Sequence, residues 1–487
     1  MKGMFNFGLL GIRRVFGGVM PPKPSIDKWV KEHMVFWYDM SKPVDVYAEN
    51  FNDWTKFTGA KHTVTNKSVN ITNFDAVNNA CIYIAKSKKF NGITITVDGL
   101  LDGQEIAWGY NNNSLVRMPK NGTYTLEPIN SVTGNIGFRS INIVGACNIT
   151  ITQLPSGQSV PTNEILKANP YLQDHSGNNR PLKLNNFLFA AMSGVGGYDI
   201  ASTNILPDRA NVTVTDNRII HITKKLSTTD NMVNIVPANS NPTHKFKITG
   251  LSDGRQVSLV NRNGGFYTFD NGEHEVTLTY PEGTTSLYNA IGVTGDIGDM
   301  DVTIEFLPKY PNALVTDGVD DYGQIQNLQH GVKVLFYTCN NFRLSQMLYD
   351  QRKIGYDNIQ SSYFSIFAGA NTIAYNARNV DGKTYIDGVL NETTIVDNLL
   401  GKKTIITIVN NSVDSEKTGR PSFFSTYNNL GYFANLAFYN SIGFDSVPTK
   451  ETDGFTEQDL ITWVIDNMIN GTPQSGVFPY VFPLKVN

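Results

Sequence analysis

Apolar and polar residues alternate with a period of two through long parts of this chain. Gly92-Ile93-Thr94-Ile95-Thr96-Val97 and Glu275-Val276-Thr277-Leu278-Thr279 put every second side chain on one face, the pattern of a half-buried strand. Asp-Gly and Asn-Gly pairs cut such runs, and both accept the positive φ of a tight hairpin turn. Thr404-Ile405-Ile406-Thr407-Ile408-Val409 is β-branched throughout, as a central sandwich strand should be. Further strands are expected over 33–39, 332–337, 363–367, 372–376, 384–386 and 432–439. Helical periodicity is confined to two places. Ser25 is an N-cap candidate ahead of Ile26-Asp27-Lys28-Trp29-Val30. Over 456–469, Leu460, Ile461, Val464, Ile465 and Met468 share a face, with Thr456 as the cap and Glu457 and Asp459 in the first turn, where the helix dipole favours acids.

The strand pattern repeats. Thr63-Val64-Thr65-Asn66 matches Thr213-Val214-Thr215-Asp216, and the stretch from Val97 to Gln104 matches Ile248 to Arg255. Asn121-Gly122 matches Asn271-Gly272, and Ile149 to Pro155 matches Val302 to Pro308. The four matches are collinear, with offsets of 150 to 153 residues, which marks a duplicated module over 60–156 and 210–308. Its length and turn spacing suit a small antiparallel β-sandwich.

Composition narrows the classes. The chain has 487 residues, 17% charged, with 42 glycines and a net charge of −3. That length allows several domains with real cores, and the low charge with abundant turn formers favours an all-β chain. Nothing gives it the clustered Lys and Arg of a nucleic-acid surface. Three widely spaced cysteines, Cys81, Cys147 and Cys339, are read as small buried hydrophobes rather than a disulfide framework or zinc site. Arg13 and Arg14 interrupt the apolar N-terminus, leaving a run far short of the roughly 20 residues a membrane span needs, so neither a cleaved signal nor membrane insertion is expected.

Three separated motifs resemble concanavalin A-like, laminin-G-type jelly rolls. They are the Asp317-Gly318-Val319-Asp320-Asp321-Tyr322 corner, the Tyr385-Ile386-Asp387-Gly388 hairpin, and the late strand from Gly431 to Asn440. Asp174-His175-Ser176-Gly177-Asn178 looks like the early turn of the same domains, with Val35 to Asp39 as the strand before it. The resemblance implies an all-β fold: a discontinuous jelly roll with the two modules inserted into its loops and one short C-terminal helix. The corresponding layout is an N-terminal docking arm and short helix (1–32), first jelly-roll strands (33–59), repeat one (60–156), a jelly-roll continuation (157–209), repeat two (210–308), the jelly-roll core and helix (309–472) and a C-terminal arm (473–487). Three domains strung in line is the competing layout.

Candidate chemistry is sparse. Asp317, Asp320 and Asp321 form the densest acid cluster. Their spacing does not follow a calcium-loop pattern, so turn geometry is the expected role, with calcium the one cofactor to test and no metal ligand assigned. Asp174, His175 and Ser176 are adjacent, whereas triad members converge from separate segments. Ser193-Gly194-Val195-Gly196-Gly197 lacks the Lys-Ser/Thr of a phosphate loop. No strand carries the alternating acids of a jelly-roll glycosidase. Trp108 and Tyr110 are candidate glycan-stacking residues or core. Phe5, Phe7, Leu10, Arg13, Arg14 and Phe16 are candidate partner-docking residues, because exposed aromatics want burial.

Most of the chain also resembles, in texture, virion proteins of tailed bacteriophages of gut Bacteroidetes, the crAss-like group among them. The resemblance implies a non-enzymatic head or tail fibre or decoration protein of the virion, assembled in the host cytoplasm. Its partners would be capsid, portal or tail proteins, further copies of itself (a trimer, for example) and a host-surface glycan, with no nucleic acid or membrane. An exported carbohydrate-binding protein and a concanavalin-like glycosidase are the alternatives.

Overall fold

The computed structural model describes residues 25–470 apart from 66, 76–79, 111–112, 239–241, 253, 262–264, 281–288, 326–327, 329–330, 342–345, 353–364, 369–373, 378–381, 392–394, 398–400, 412–417 and 426–432. The fold is all-β, with the short helix Glu457–Val464 near its C-terminal end.

Two eight-stranded antiparallel sheets form a central sandwich. In the first, Leu436–Phe444 lies between Val334–Asn341 on one side and, end to end on the other, Met34–Asp39 and Leu314–Val315. The strand at 34–39 thus pairs with residues some four hundred positions later: Trp37 faces Ile442 and Asp39 faces Asn440. Lys403–Val409 is interior, as its β-branched run predicts, and the Lys383–Ile386 and Val389–Asn391 hairpin closes that edge. The second sheet draws on Tyr171–Leu172, Leu182–Asn185, Tyr322–Ile325, Thr418–Phe423 and Gln346–Arg352, among others. Segments before, between and after the duplicated modules contribute strands to these two sheets. The sandwich core joins Phe36, Tyr38, Leu184, Tyr337, Tyr349, Phe423 and Phe438.

The outer face of the first sheet carries both predicted helices. Ile26–His33 is capped by Ser25, whose Oγ accepts from Lys28 N. Glu457–Val464 has a capping box between Thr456 and Asp459, and its last turn widens into a π-turn over Ile465–Ile469. Trp29, Phe336, Phe444, Leu460, Ile461 and Val464 fuse into one apolar cluster there. Glu457 accepts hydrogen bonds from Lys383 and Tyr385, tying the helix to the edge hairpin.

The two modules are sandwiches of two five-stranded sheets with the same strand order. One sheet runs through 122–126, 93–98, 145–153, 68–74 and 60–64 in the first copy. The second copy repeats it through 272–277, 243–249, 298–306, 219–225 and 210–215. Each module also recruits a strand ahead of the span the repeat suggests, Thr55–Lys56 in one and Ile200–Ile205 in the other. Their cores are separate from each other and from the central one.

Each module leaves the sandwich on a short antiparallel stem. Val44–Val46 pairs with Gly157–Ser159 below the first module. Below the second, Lys309 N donates to Gly197 O and Tyr310 N to Gly196 O. Entry and exit are thus hydrogen-bonded neighbours, the geometry in which a loop accepts an inserted domain.

Candidate functional site

The Asp317–Tyr322 corner, the start of the late strand and the glycine-rich stretch at 193–197 meet at one corner of the sandwich, whereas the Tyr385–Gly388 hairpin lies at the far edge of the first sheet and the Asp174–Asn178 turn against the strand at 34–39. Residues 316–321 do not close a hairpin: Leu314–Val315 belongs to the first sheet and Tyr322–Ile325 to the second, so the corner crosses between layers. Gly318 has φ +75°, and a Cβ there would meet Asn435 Cβ at 2.9 Å. Asn435 donates from Nδ2 to Asp317 O at 2.8 Å, and Thr316 Oγ1 donates to Ala434 O at 2.7 Å. The late strand thus holds the corner from one side. From the other, Ser193 Oγ donates to Asp321 Oδ1 at 3.0 Å, which gives the glycine-rich stretch a bracing role.

The three acids bring one oxygen each within 4.8 Å of one another. Asp321 is fully buried. Its Oδ2 accepts from Asp317 N at 3.0 Å, while Asp317 Oδ1 accepts from Val319 N at 2.8 Å. Burial first, then the charges of Asp317 and Asp320, push the Asp321 carboxyl up to about 8 against the two donors that favour its anion. These contacts fix the backbone, so the corner has the geometry of a built turn.

The Asp174–Asn178 turn clamps the first strand. Asp174 accepts from the backbone N–H of Trp37, Ser176 and Arg180 at 2.9–3.0 Å. Asn178 Nδ2 donates to Met34 O at 2.7 Å. His175 packs its ring edge-on against Trp37 at 5.9 Å, and burial lowers its pKa to about 4, with the Lys42 charge adding to the effect. Asp174, His175 and Ser176 form no relay.

Trp108 is a correction to the glycan-stacking expectation. It is 1% exposed, with Phe90, Phe138 and Trp54 ring centroids 4.9, 5.1 and 5.5 Å away. An indole enclosed on this scale offers no face to a ligand; it fills core. Tyr110, two residues along the same strand, is half-buried against that core. Phe5, Phe7, Leu10, Arg13, Arg14 and Phe16 lie outside the described residues, as does the arm from 473. Cys81 and Cys339 are buried and Cys147 partly so, all three as free thiols.

Sequence reasoning passed over a cleft of about 340 Å³ at the base of the second module, lined among others by Tyr198, Asp199, His244, Lys309 and Tyr310. Its residues come from four separate segments, and only the fold brings them together. No family model matches the chain, and no curated protein matches it.

Proposed function

We propose that this chain is a non-catalytic structural protein of a bacteriophage virion. Its N-terminal arm anchors it to capsid, portal or tail proteins, and its two modules are displayed for assembly or for adhesion to host-surface glycans. The observation that carries this reading is the pair of like modules, each on its own hydrogen-bonded stem, rising from a single discontinuous sandwich. Such an arrangement projects repeated surface from a fixed base. The acids and hydroxyls at the sandwich corner support the same view, because their hydrogen bonds run to backbone of the turn. The Asn-, Thr- and Gly-rich strands and the aromatic, glycine-rich arm supply the virion context by resemblance. Many displayed copies would multiply weak surface contacts into firm attachment.

The test is docking. Full-length protein and a form lacking residues 1–24 are sized by light scattering and mixed with virion particles that lack the protein. The expected result is a defined homo-oligomer that binds the particles, and a truncated form that stays folded and does not bind. Monomers of both forms that ignore the particles would overturn the proposal.

A further inference from the structure

The cleft at the stem of the second module has features of a ligand site that the display role does not need. It lies between the two connecting segments, 197–200 and 306–310, and the module wall at Thr243–Lys245. Its volume, about 340 Å³, falls within the range of small-molecule sites. The lining charges are matched in pairs: Asp199 with Lys309 at 3.4 Å, and Lys245 with Glu275 at 3.1 Å. Matched pairs leave little net field to select an ion. Two half-buried tyrosines, Tyr198 and Tyr310, present apolar ring surface with a polar tip. His244 is 2% exposed, and its buried Nε2 has no hydrogen-bond partner. Burial keeps that ring neutral by lowering its pKa to about 4.

We propose that this cleft binds a neutral saccharide unit. A sugar ring matches it on three counts. Its C–H faces pack on the tyrosine rings, its hydroxyls accept hydrogen bonds from the Lys309 ammonium, and its lack of charge suits the paired walls. Because the cleft is bounded by the stem on one side and the module on the other, a bound sugar bridges them and restrains the module's orientation. The inference deepens the adhesion part of the proposed function and rests on it for biological meaning. The binding itself requires neither assembly nor a virion.

The experiment is saturation-transfer difference NMR on the full-length protein with neutral monosaccharides (glucose, galactose, mannose, rhamnose, N-acetylglucosamine) and, beside them, glucuronic acid, followed by titration calorimetry of any binder. At least one neutral sugar is expected to bind in the millimolar range or tighter. Tyr310→Ala is expected to weaken it at least tenfold with an unchanged circular dichroism spectrum. Lys309→Met, which keeps the stem backbone and much of the side-chain volume, is expected to weaken it as well and guards against a folding defect in the first variant. No binding by any neutral sugar, binding of glucuronic acid alone, or full affinity in both variants would overturn the inference. Docking to virion particles is scored separately, so a failed sugar screen with intact docking removes the site and leaves the structural role standing.

Discussion

Trp37 donates its backbone N–H to Oδ1 of Asp174 at 3.0 Å, across 137 residues of sequence that include the whole first module. One buried carboxylate thereby ties the first strand of the sandwich to the turn that resumes it after the excursion. The same carboxylate takes the Ser176 and Arg180 N–H groups, and Asn178, Arg180 and Tyr38 side chains add further bonds across the same junction.

Asp174→Ala leaves three backbone donors without their acceptor. At about 1–3 kcal/mol for each buried group left unsatisfied, and with partial rescue by water, a loss of roughly 3 kcal/mol is expected. The loss should fall on the central sandwich alone. Urea unfolding followed by hydrogen exchange should show earlier opening of peptides from 34–39 and 436–444, with module peptides such as 93–98 unchanged. Equal loosening of all three units would contradict the separate cores.

Gly99 and Gly250 occupy equivalent corners of the two modules. Both have positive φ, +86° and +87°, and an added Cβ would lie 1.9 Å from Asn148 O in one and 1.8 Å from Asp301 O in the other. Alanine at either site should cost roughly 2–4 kcal/mol through backbone strain and overpacking. Because the modules have independent cores, the double variant should show the two losses side by side. Calorimetry of the three variants decides it.

Trp108→Ala should destabilise the first module by about 3–5 kcal/mol, the usual cost of emptying a large aromatic site. A glycan-binding role would instead predict a folded module with reduced sugar affinity. Thermal melting of the variant, read by tryptophan fluorescence, separates the two.

Stability should fall with acid through His244 and His175 and with alkali through Asp321. The His244 pKa is depressed to about 4 from 6.5, so the unfolded chain binds its proton first. Its contribution is complete above pH 6.5 and is lost as pH falls towards 4. The Asp321 pKa is raised to about 8 from 3.8, so the folded chain holds a proton that the unfolded chain releases. That contribution is complete below pH 3.8 and is lost as pH rises through 8. The second module should weaken on acidification from 6.5 to 4, as should the sandwich through His175, and the sandwich should weaken again on alkalinisation from 6.5 to 8.5. Asp321→Asn should flatten the latter slope; an unchanged slope would contradict the assignment.

The acid corner should be indifferent to calcium, since its contacts already serve the turn. Millimolar calcium or a chelator is expected to leave the melting temperature of the full chain unchanged. A rise of several degrees with calcium, abolished in Asp320→Asn, would make the corner a cation site.

What was legible in the sequence follows from what the residues do. Asn121 and Asn271 match because each pairs its side-chain amide with the backbone of a leucine across the turn, Leu100 or Leu251. Gly99 and Gly250 match because no other residue fits the approach. Core positions diverge freely: Trp108 is buried in one module where Leu259 is buried in the other, since interiors constrain volume more than identity. The stems left no trace, because main-chain pairing between 44–46 and 157–159 requires no particular side chain. The cleft was illegible for a different reason. Tyr198, His244 and Tyr310 become neighbours only once the stem has closed, and the DGVDDY corner likewise read as a simple turn because sequence does not reveal that its strands belong to opposite sheets.

Excision of one module tests the proposed design, an anchoring sandwich with separable displayed modules. Residues 198–308 are removed and Gly197 is joined to Lys309 through a short glycine linker, between backbones that already hydrogen-bond. Light scattering and particle docking are then measured against the full chain. The expected result is a folded protein with the same oligomeric state and the same docking. Loss of folding or of docking on removing this one module would contradict it.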